Sequence, residues 1–346
     1  MTGFCIDDIE IGRNALPLVI PDIGINHGGS LEVAFELVDA AHRTGARLIK
    51  HQTHIIEDEM SHAAKSVIPG NSTLSIYDVM EQCALSENDE NELFQYVKSK
   101  NMLFLSTPFS RAAADRLEKF GVKAYKIGSG ELNNYPLIEH VAAFGKPMIV
   151  STGMNDMIAI RKAVDIINRI GTPYALLHTT NLYPTPPEFV RLGAMVEMMN
   201  AFPDVPIGLS DHTLNNNACI AGIGLGACIV ERHFTDHRDR VGNDIVCSMD
   251  EDELSQLLQA AREVHLMRGG KKQALVQEQV TIDFAFATVV TIADVKAGQL
   301  FAKDNIWVKR PGIGEFRAEE YYKILGKTAA CDIKKDTHLS RYMIGW

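Results

Sequence analysis

Eight short apolar runs recur along this chain, each followed by a stretch with helical spacing. That alternation constrains the fold more than any other feature. The runs are LPLVIPDIG (16–24), ARLIKHQ (46–52), MLFLSTPF (102–109), AYKIGSGE (124–131), PMIVSTGM (147–154), YALLHTT (174–180), PIGLSDH (206–212) and CIVERHF (228–234). Amphipathic stretches such as SLEVAFELVDAAHRTG and MIAIRKAVDIINRIG come between them. Continuous apolar strands alternating with helices imply a parallel sheet covered on both faces. Eight such units in about 250 residues fit a closed (β/α)8 TIM barrel. The competing open Rossmann-like sheet predicts a G-x-G-x-x-G fingerprint, and GINHGGS lacks that spacing. Two segments break the repeat. Residues 54–86 form a long insertion after the second strand, on the face where barrels carry chemistry, and read as a partly ordered active-site loop. After MRGGKK the chain turns rich in β-branched residues and turn signals. The reading is a barrel over residues 1–270, a linker over 271–285 and a small β-rich domain over 286–346, too short to bury much core alone.

Composition limits the partners. The chain has 346 residues, 46% of them apolar, and a net charge of −10. That balance argues against nucleic acid and against an anionic membrane surface, and leaves anion binding to a local cluster of cations and N–H groups. The six cysteines are scattered and form no CxxC pair, so neither a disulfide framework nor a zinc knuckle is expected. The start, MTGFCIDDIEIG, does not read as a signal peptide, and no apolar run reaches membrane-spanning length. The expectation is a cytoplasmic protein.

The strands are apolar, yet their C-terminal ends are polar. They carry Asp22; Lys50, His51 and Gln52; Ser106 and Thr107; Lys126 and Ser129; Ser151 and Thr152; His178, Thr179 and Asn181; Ser210, Asp211 and His212; and Glu231, Arg232 and His233. One such group could be a satisfied core residue. The pattern at all eight ends points to a catalytic mouth, because every buried polar group must find a partner. Lys50 and Lys126, with Thr107, Ser129 and Ser151, suit a phosphorylated substrate in a dry cavity. A structural ion pair with Asp22 or Glu131 is the plain alternative. His212 and His233, on adjacent strands, suit a divalent metal with positions left for water and substrate. Glu231 and Asp244 are nearby candidates for proton transfer.

The motifs IGINHGGS, LIKHQTHI, FLSTPFS, YKIGSGELNNYPLI, VSTGM, LLHTTNLYPTP, GLSDHT, ERHFT and VKRPGIG, taken in order, resemble the bacterial sialic acid synthases, which join phosphoenolpyruvate to N-acetylmannosamine. The resemblance spans nearly the whole chain, and the C-terminal segment looks like the family's antifreeze-like (SAF) domain. It implies phosphoenolpyruvate binding by Lys50, Thr107, Lys126, Ser129 and Ser151. It implies that Asp22, Gln52, Asn181 and Tyr183 line the pocket toward the sugar. His212 and His233 match two ligands of a divalent metal, usually manganese, with magnesium or cobalt as substitutes. Arg310 matches a SAF-domain arginine that reaches the sugar in a partner subunit's barrel, with Phe284 beside it, which implies a domain-swapped homodimer.

Two positions depart from the family pattern: Asp22 stands where Glu is usual, and Thr179 where Cys is frequent. The first shortens the acid by one methylene and bears on which sugar fits. The near rival is therefore a legionaminic or pseudaminic acid synthase acting on another N-acyl sugar, although HTTNLYPTP looks closer to the N-acetylneuraminate type. The distant rival is a metal-dependent aldolase or isomerase on the same barrel. It needs neither two cations on strands two and four nor an arginine-bearing tail. A non-catalytic carbohydrate-binding protein leaves the full set of polar strand ends unexplained.

Overall fold

The computed structural model describes residues 3–70 and 72–346, which fall into two compact units divided between Gly269 and Gly270. In the first unit, a hairpin of β1 (Gly3–Ile6) and β2 (Ile9–Gly12) precedes the barrel. The barrel strands are β3 (Leu18–Gly24), β4 (Leu48–Thr53), β5 (Leu103–Pro108), β6 (Tyr125–Ile127), β7 (Met148–Ser151), β8 (Tyr174–Thr179), β9 (Ile207–Asp211) and β10 (Ile229–His233). They pair in parallel in chain order, and β10 closes the ring on β3. The eight runs read from the sequence are these eight strands, and the expected (β/α)8 barrel is the fold.

The helices of the first unit are α1 (Leu31–Arg43), α2 (Ile56–Glu59), α3 (Ile76–Cys83), α4 (Glu87–Ser99), α5 (Arg111–Phe120), α6 (Tyr135–Ala142), α7 (Met157–Ile170), α8 (Leu192–Ala201), α9 (Asn217–Leu225) and α10 (Glu251–Met267). Their starts are written in the sequence. The side chains of Ser30, Ser86, Ser110, Asn134 and Asp156 each accept a first-turn backbone N–H, and Asp250 with Glu253 forms a capping box at α10. α2 and α3 lie within the 54–86 insertion, with a short 3-10 turn at His62–Ser66 between them; residue 71 of that insertion lies outside the described residues.

Strand side chains alternate between the barrel interior and the helix layer. The outward set, including Val19, Ile23, Ile49, Phe104, Val150 and Leu176, packs with the helices in the main core. The inward set changes character along each strand. Its lower layers are apolar: Leu18, Ile20, Leu48, Leu105, Ala124, Ile149, Ala175, Leu177 and Ile229 pack with Ile6, Ile9 and Ile11 of the hairpin. The hairpin thus seals the bottom of the barrel, a role its acidic sequence did not suggest. Two residues further along each strand, the same inward direction reaches Asp22, Lys50, Thr107, Lys126, Ser151, Thr179, Ser210 and Glu231. One lower-layer position, on β9, has no room for an inward side chain: a Cβ on Gly208 would stand 2.3 Å from the Ile229 carbonyl.

In the second unit, β11 (Thr288–Thr291) pairs antiparallel with β12 (Ile306–Lys309) around a core that includes Val289, Phe301, Ile306, Phe316, Tyr321 and Leu339. The segment 271–285, read as a linker, carries α11 (Gln279–Ala285). Its end packs on this unit: the Gly312 N–H donates to the Asp283 carbonyl at 2.7 Å.

Candidate active site

The inward polar layer lines a cavity of about 130 Å3 at the C-terminal ends of the strands. Asp22, Lys50, Gln52, Thr107, Lys126, Ser129, Ser151, Asn181, Tyr183, His212, Glu231 and His233 all face it. Phe109, Gly128, Gly130, Thr179 and Ser210 complete the wall. Of these, Phe109 and the two glycines had not been singled out from the sequence. Phe109 closes the run MLFLSTPF, and an aromatic just past an apolar strand was the available signal.

The period-two geometry also removes residues from the list of polar strand ends. His51 and Ser106 face the helix layer, where they join Thr53, Glu90 and Arg116 in a buried network. Arg232 is turned outward as well: its guanidinium donates to Asn216 Oδ1 (2.7 Å) and the Thr213 carbonyl (2.8 Å) and lies 3.6 Å from Asp211. His178 bonds the Val190 carbonyl. These are structural groups that flank the cavity and bond chiefly within the helix layer.

At the cavity floor, two buried ammonium groups straddle one carboxylate. Oε1 of Glu231 lies 3.6 Å from Lys50 Nζ and 3.6 Å from Lys126 Nζ. Lys126 also donates to Ser151 Oγ (2.6 Å) and to the Ile127 carbonyl (3.1 Å). Lys50 is ion-paired with Asp22, whose other oxygen accepts the Gly24 N–H at 2.9 Å. Asp22 therefore lines the cavity with both carboxylate oxygens already engaged, and it serves Lys50 first. Burial opposes the charge of Lys50, but Asp22 and Glu231 outweigh it and hold that ammonium above its ordinary value. Burial also opposes the charge of Asp22, and Lys50 and His233 reverse it, so the carboxyl stays below its usual range. Around Lys126 burial prevails over the pull of Glu231, and the pKa falls to about 8.

On the opposite wall, the rings of His212 and His233 lie stacked, with centroids 5.5 Å apart, and Tyr183 covers His212 at 4.2 Å. Burial, followed by the neighbouring His233, presses the His212 pKa down to about 3. Its neutral ring uses Nδ1–H to bond the Thr180 carbonyl at 2.8 Å, leaving the Nε2 lone pair free. His233 Nε2 is 3.8 Å from Asp244 Oδ2. Asp244 stands behind His233 and is not part of the cavity lining. Gly24, in the left-handed region at φ +45°, lets the chain pass close by: a Cβ there would meet Gln52 at 3.2 Å and His233 at 3.3 Å.

Three buried polar atoms of this wall have no hydrogen-bond partner in the protein: Asn181 Oδ1, Glu231 Oε2 and His233 Nδ1, the last lying 3.5 Å from Asp22 Oδ2. Buried polar atoms are normally bonded, so a cluster of unpaired ones around a cavity marks positions that a ligand completes. Among the described residues no group of three or more His, Cys, Asp or Glu is arranged to hold a metal, so any ion here would have His212 and His233 alone as close protein donors. A free lone pair on one ring and an unpartnered nitrogen on the other fit that role. Phe284 (60% exposed) and Arg310 are exposed on the C-terminal unit.

Comparison with known proteins identifies the family of this chain. The NeuB family model matches residues 37–273, and the SAF domain model matches residues 286–343. The N,N'-diacetyllegionaminic acid synthase of Campylobacter jejuni is 34% identical over 92% of this chain and 97% of its own length. The enzyme of that name from Legionella pneumophila is 32% identical over 95% of this chain and 94% of its own. The crystal structure of an N-acetylneuraminic acid (sialic acid) synthetase from Leptospira borgpetersenii superposes with a TM-score of 0.74 at 27% identity, covering 81% of this chain and 95% of that one. No helix among the described residues is long and apolar enough to cross a membrane. With more than half of its length matched by the family model, and its barrel followed by a SAF domain, the chain belongs to the NeuB family.

Proposed function

We propose that this protein condenses phosphoenolpyruvate with N-acetylmannosamine and releases phosphate by C–O cleavage to form N-acetylneuraminate. The observation that carries the reading is one small cavity where two buried lysines, six hydroxyls and two imidazoles converge. Lys50 and Lys126 are the cavity's two cations, and a trianionic ligand shares them with Asp22 and Glu231. Those ammonium groups, with Thr107, Ser129 and Ser151, hold the phosphate and carboxylate and fix C3 against the sugar aldehyde. C3 attacks the aldehyde carbon, whose oxygen takes up a proton; water adds at C2 with loss of one proton; the resulting hemiketal phosphate then loses its hydroxyl proton as the C2–O bond breaks, leaving the C2 ketone and phosphate. Glu231 Oε2 has no partner and takes the proton from that water. Gln52, Asn181 and Tyr183 orient the sugar. Burial raises the Tyr183 pKa, so its phenol stays a hydrogen-bond donor. Asp244, behind His233, is the second candidate for proton transfer.

His212 and His233 are the residues that hold a divalent metal, manganese first, with magnesium or cobalt as substitutes. The chemistry a divalent ion supplies at such a place is Lewis-acid polarisation of an aldehyde oxygen. The protein acts in the cytoplasm, where phosphoenolpyruvate is available. It works as a domain-swapped homodimer in which Arg310 and Phe284 of a second copy cover the mouth. Exposed Met154, Leu182 and Leu214 in the loops after β7, β8 and β9 support such a cover.

A second reading has its own support. The two relatives compared above are named for N,N'-diacetyllegionaminic acid, and Asp22 is tied to Lys50 and to Gly24. In that reading the sugar is a bacillosamine-type diacetamido aldose. Phosphate release from phosphoenolpyruvate with manganese and each sugar in turn separates them. Release with N-acetylmannosamine supports the first reading and release only with the diacetamido sugar the second. No sugar-dependent release refutes both.

A further inference from the structure

His54 touches two walls of the cavity without lining it. Its ring is buried, with a side chain 1% exposed, in the chain segment that opens the 54–86 insertion. Nδ1 lies 2.8 Å from Glu59 Oε2 and Nε2 lies 3.2 Å from Gln52 Oε1. One face stacks on Phe109, with centroids 4.5 Å apart and planes at 15°. Gln52 and Phe109 both face the cavity. Just beyond Glu59's neighbour, α2 is pinned to the barrel: the Ala112 N–H donates to Asp58 Oδ2 at 2.8 Å. Glu59 therefore approaches His54 from a fixed position.

The donor and acceptor inventory gives this chain of contacts a direction. One proton lies between His54 Nδ1 and the Glu59 carboxyl, and that bond anchors the ring. A carboxamide oxygen only accepts, so Nε2–H donates to Gln52 Oε1. The ring so held is clamped by Glu59 on one edge and Gln52 on the other, and lies on the face of Phe109. With Oε1 fixed by His54, the Gln52 NH2 is the end left over. It points toward Gly24 and His233, on the cavity side.

We propose that His54 is a positioning residue that fixes which end of the Gln52 amide faces the cavity. Gln52 then offers donors, and the site selects a sugar that presents an acceptor oxygen there. This rests on the reading that Gln52 contacts the sugar.

The test is steady-state kinetics with N-acetylmannosamine and phosphoenolpyruvate. His54→Phe keeps the stack on Phe109 and removes both hydrogen-bonding nitrogens. The expected result is a rise of about five- to tenfold in KM for the sugar, the scale of one lost orienting hydrogen bond. KM for phosphoenolpyruvate and kcat move by less than about twofold. In a Gln52→Ala background the same change adds nothing, because the amide it orients is gone. An equal rise in both KM values, a fall in kcat alone, or full additivity with Gln52→Ala overturns the proposal. Should His54→Phe fold poorly, Glu59→Gln carries the same test: it keeps a hydrogen-bonding group beside Nδ1 but weakens the anchor of the ring, and a smaller rise confined to the sugar is expected. If Gln52→Ala alone leaves the sugar KM unchanged, the reading of Gln52 fails; if Gln52→Ala raises it while His54→Phe does not, only the role of His54 fails.

Discussion

Gly153 offers a perturbation whose size follows from the coordinates. It sits just past β7, and its N–H donates to Ser129 Oγ at 3.0 Å. A Cβ at this position would stand 1.8 Å from Asn181 Oδ1 and 2.8 Å from Ser129 Oγ. Ordinary contact begins near 3.4 Å, so Gly153→Ala must push the Asn181 carboxamide by about 1.6 Å and the Ser129 hydroxyl by about 0.6 Å. Both atoms belong to side chains, so the fold survives the change, and the displacement is taken up in the cavity. Ser129 is assigned to phosphoenolpyruvate and Asn181 to the sugar, so both substrates lose alignment. Misplacement on the ångström scale costs about 100-fold in rate. The expected outcome is a loss of about 100-fold in kcat/KM, measured by phosphate release, with a thermal transition close to that of the parent. Gly153→Ala with parental kcat/KM would refute the placement of Ser129 and Asn181 at the reacting groups.

Other expectations follow from the same geometry. Lys126, with its pKa near 8, is a cation below that pH and loses its charge above it; KM for phosphoenolpyruvate should be flat below about pH 7.5 and climb above 8, whereas a flat profile to pH 9.5 would remove Lys126 from anion binding. Asp22→Ala leaves the buried Lys50 facing only Glu231 at 3.6 Å and should cost about 3 kcal/mol in urea unfolding; a change below about 1 kcal/mol would show that the pair does not matter to folding. His212→Ala should abolish manganese binding in calorimetry and, after chelator treatment, activity; tight binding by the variant would move the metal elsewhere.

The barrel was legible because its strands are short apolar runs with polar ends, and such runs have few alternatives once eight of them alternate with helices. The cavity was legible for a related reason. An inward residue two places beyond an apolar inward residue must itself be inward, so Leu48 predicts Lys50 and Ile229 predicts Glu231. What the chain concealed was direction at neighbouring positions. His51, His178 and Arg232 look like site residues in the sequence, and period-two geometry turns them into the helix layer. Pairing was legible only as one of two readings: an ion pair of a strand lysine with Asp22 or Glu131 was the alternative to a substrate site, and the closing of β3 beside β4 sets Asp22 against Lys50. The hairpin at residues 3–12 was missed because four-residue strands with acidic turns carry little pattern, although Ile6, Ile9 and Ile11 mark its buried face. The glycines of GINHGGS supply turns and a close approach to His233, with no role as a phosphate cradle.

The central claim is condensation with C–O cleavage, and one isotope measurement addresses it directly. Phosphoenolpyruvate carrying 18O in its bridging C–O–P oxygen is incubated with the protein, manganese and N-acetylmannosamine, and the released phosphate is analysed by mass. The account predicts that the phosphate retains the label and that one nine-carbon sugar acid forms for each phosphate released. Unlabelled phosphate, or phosphate release that does not depend on the sugar, would contradict it.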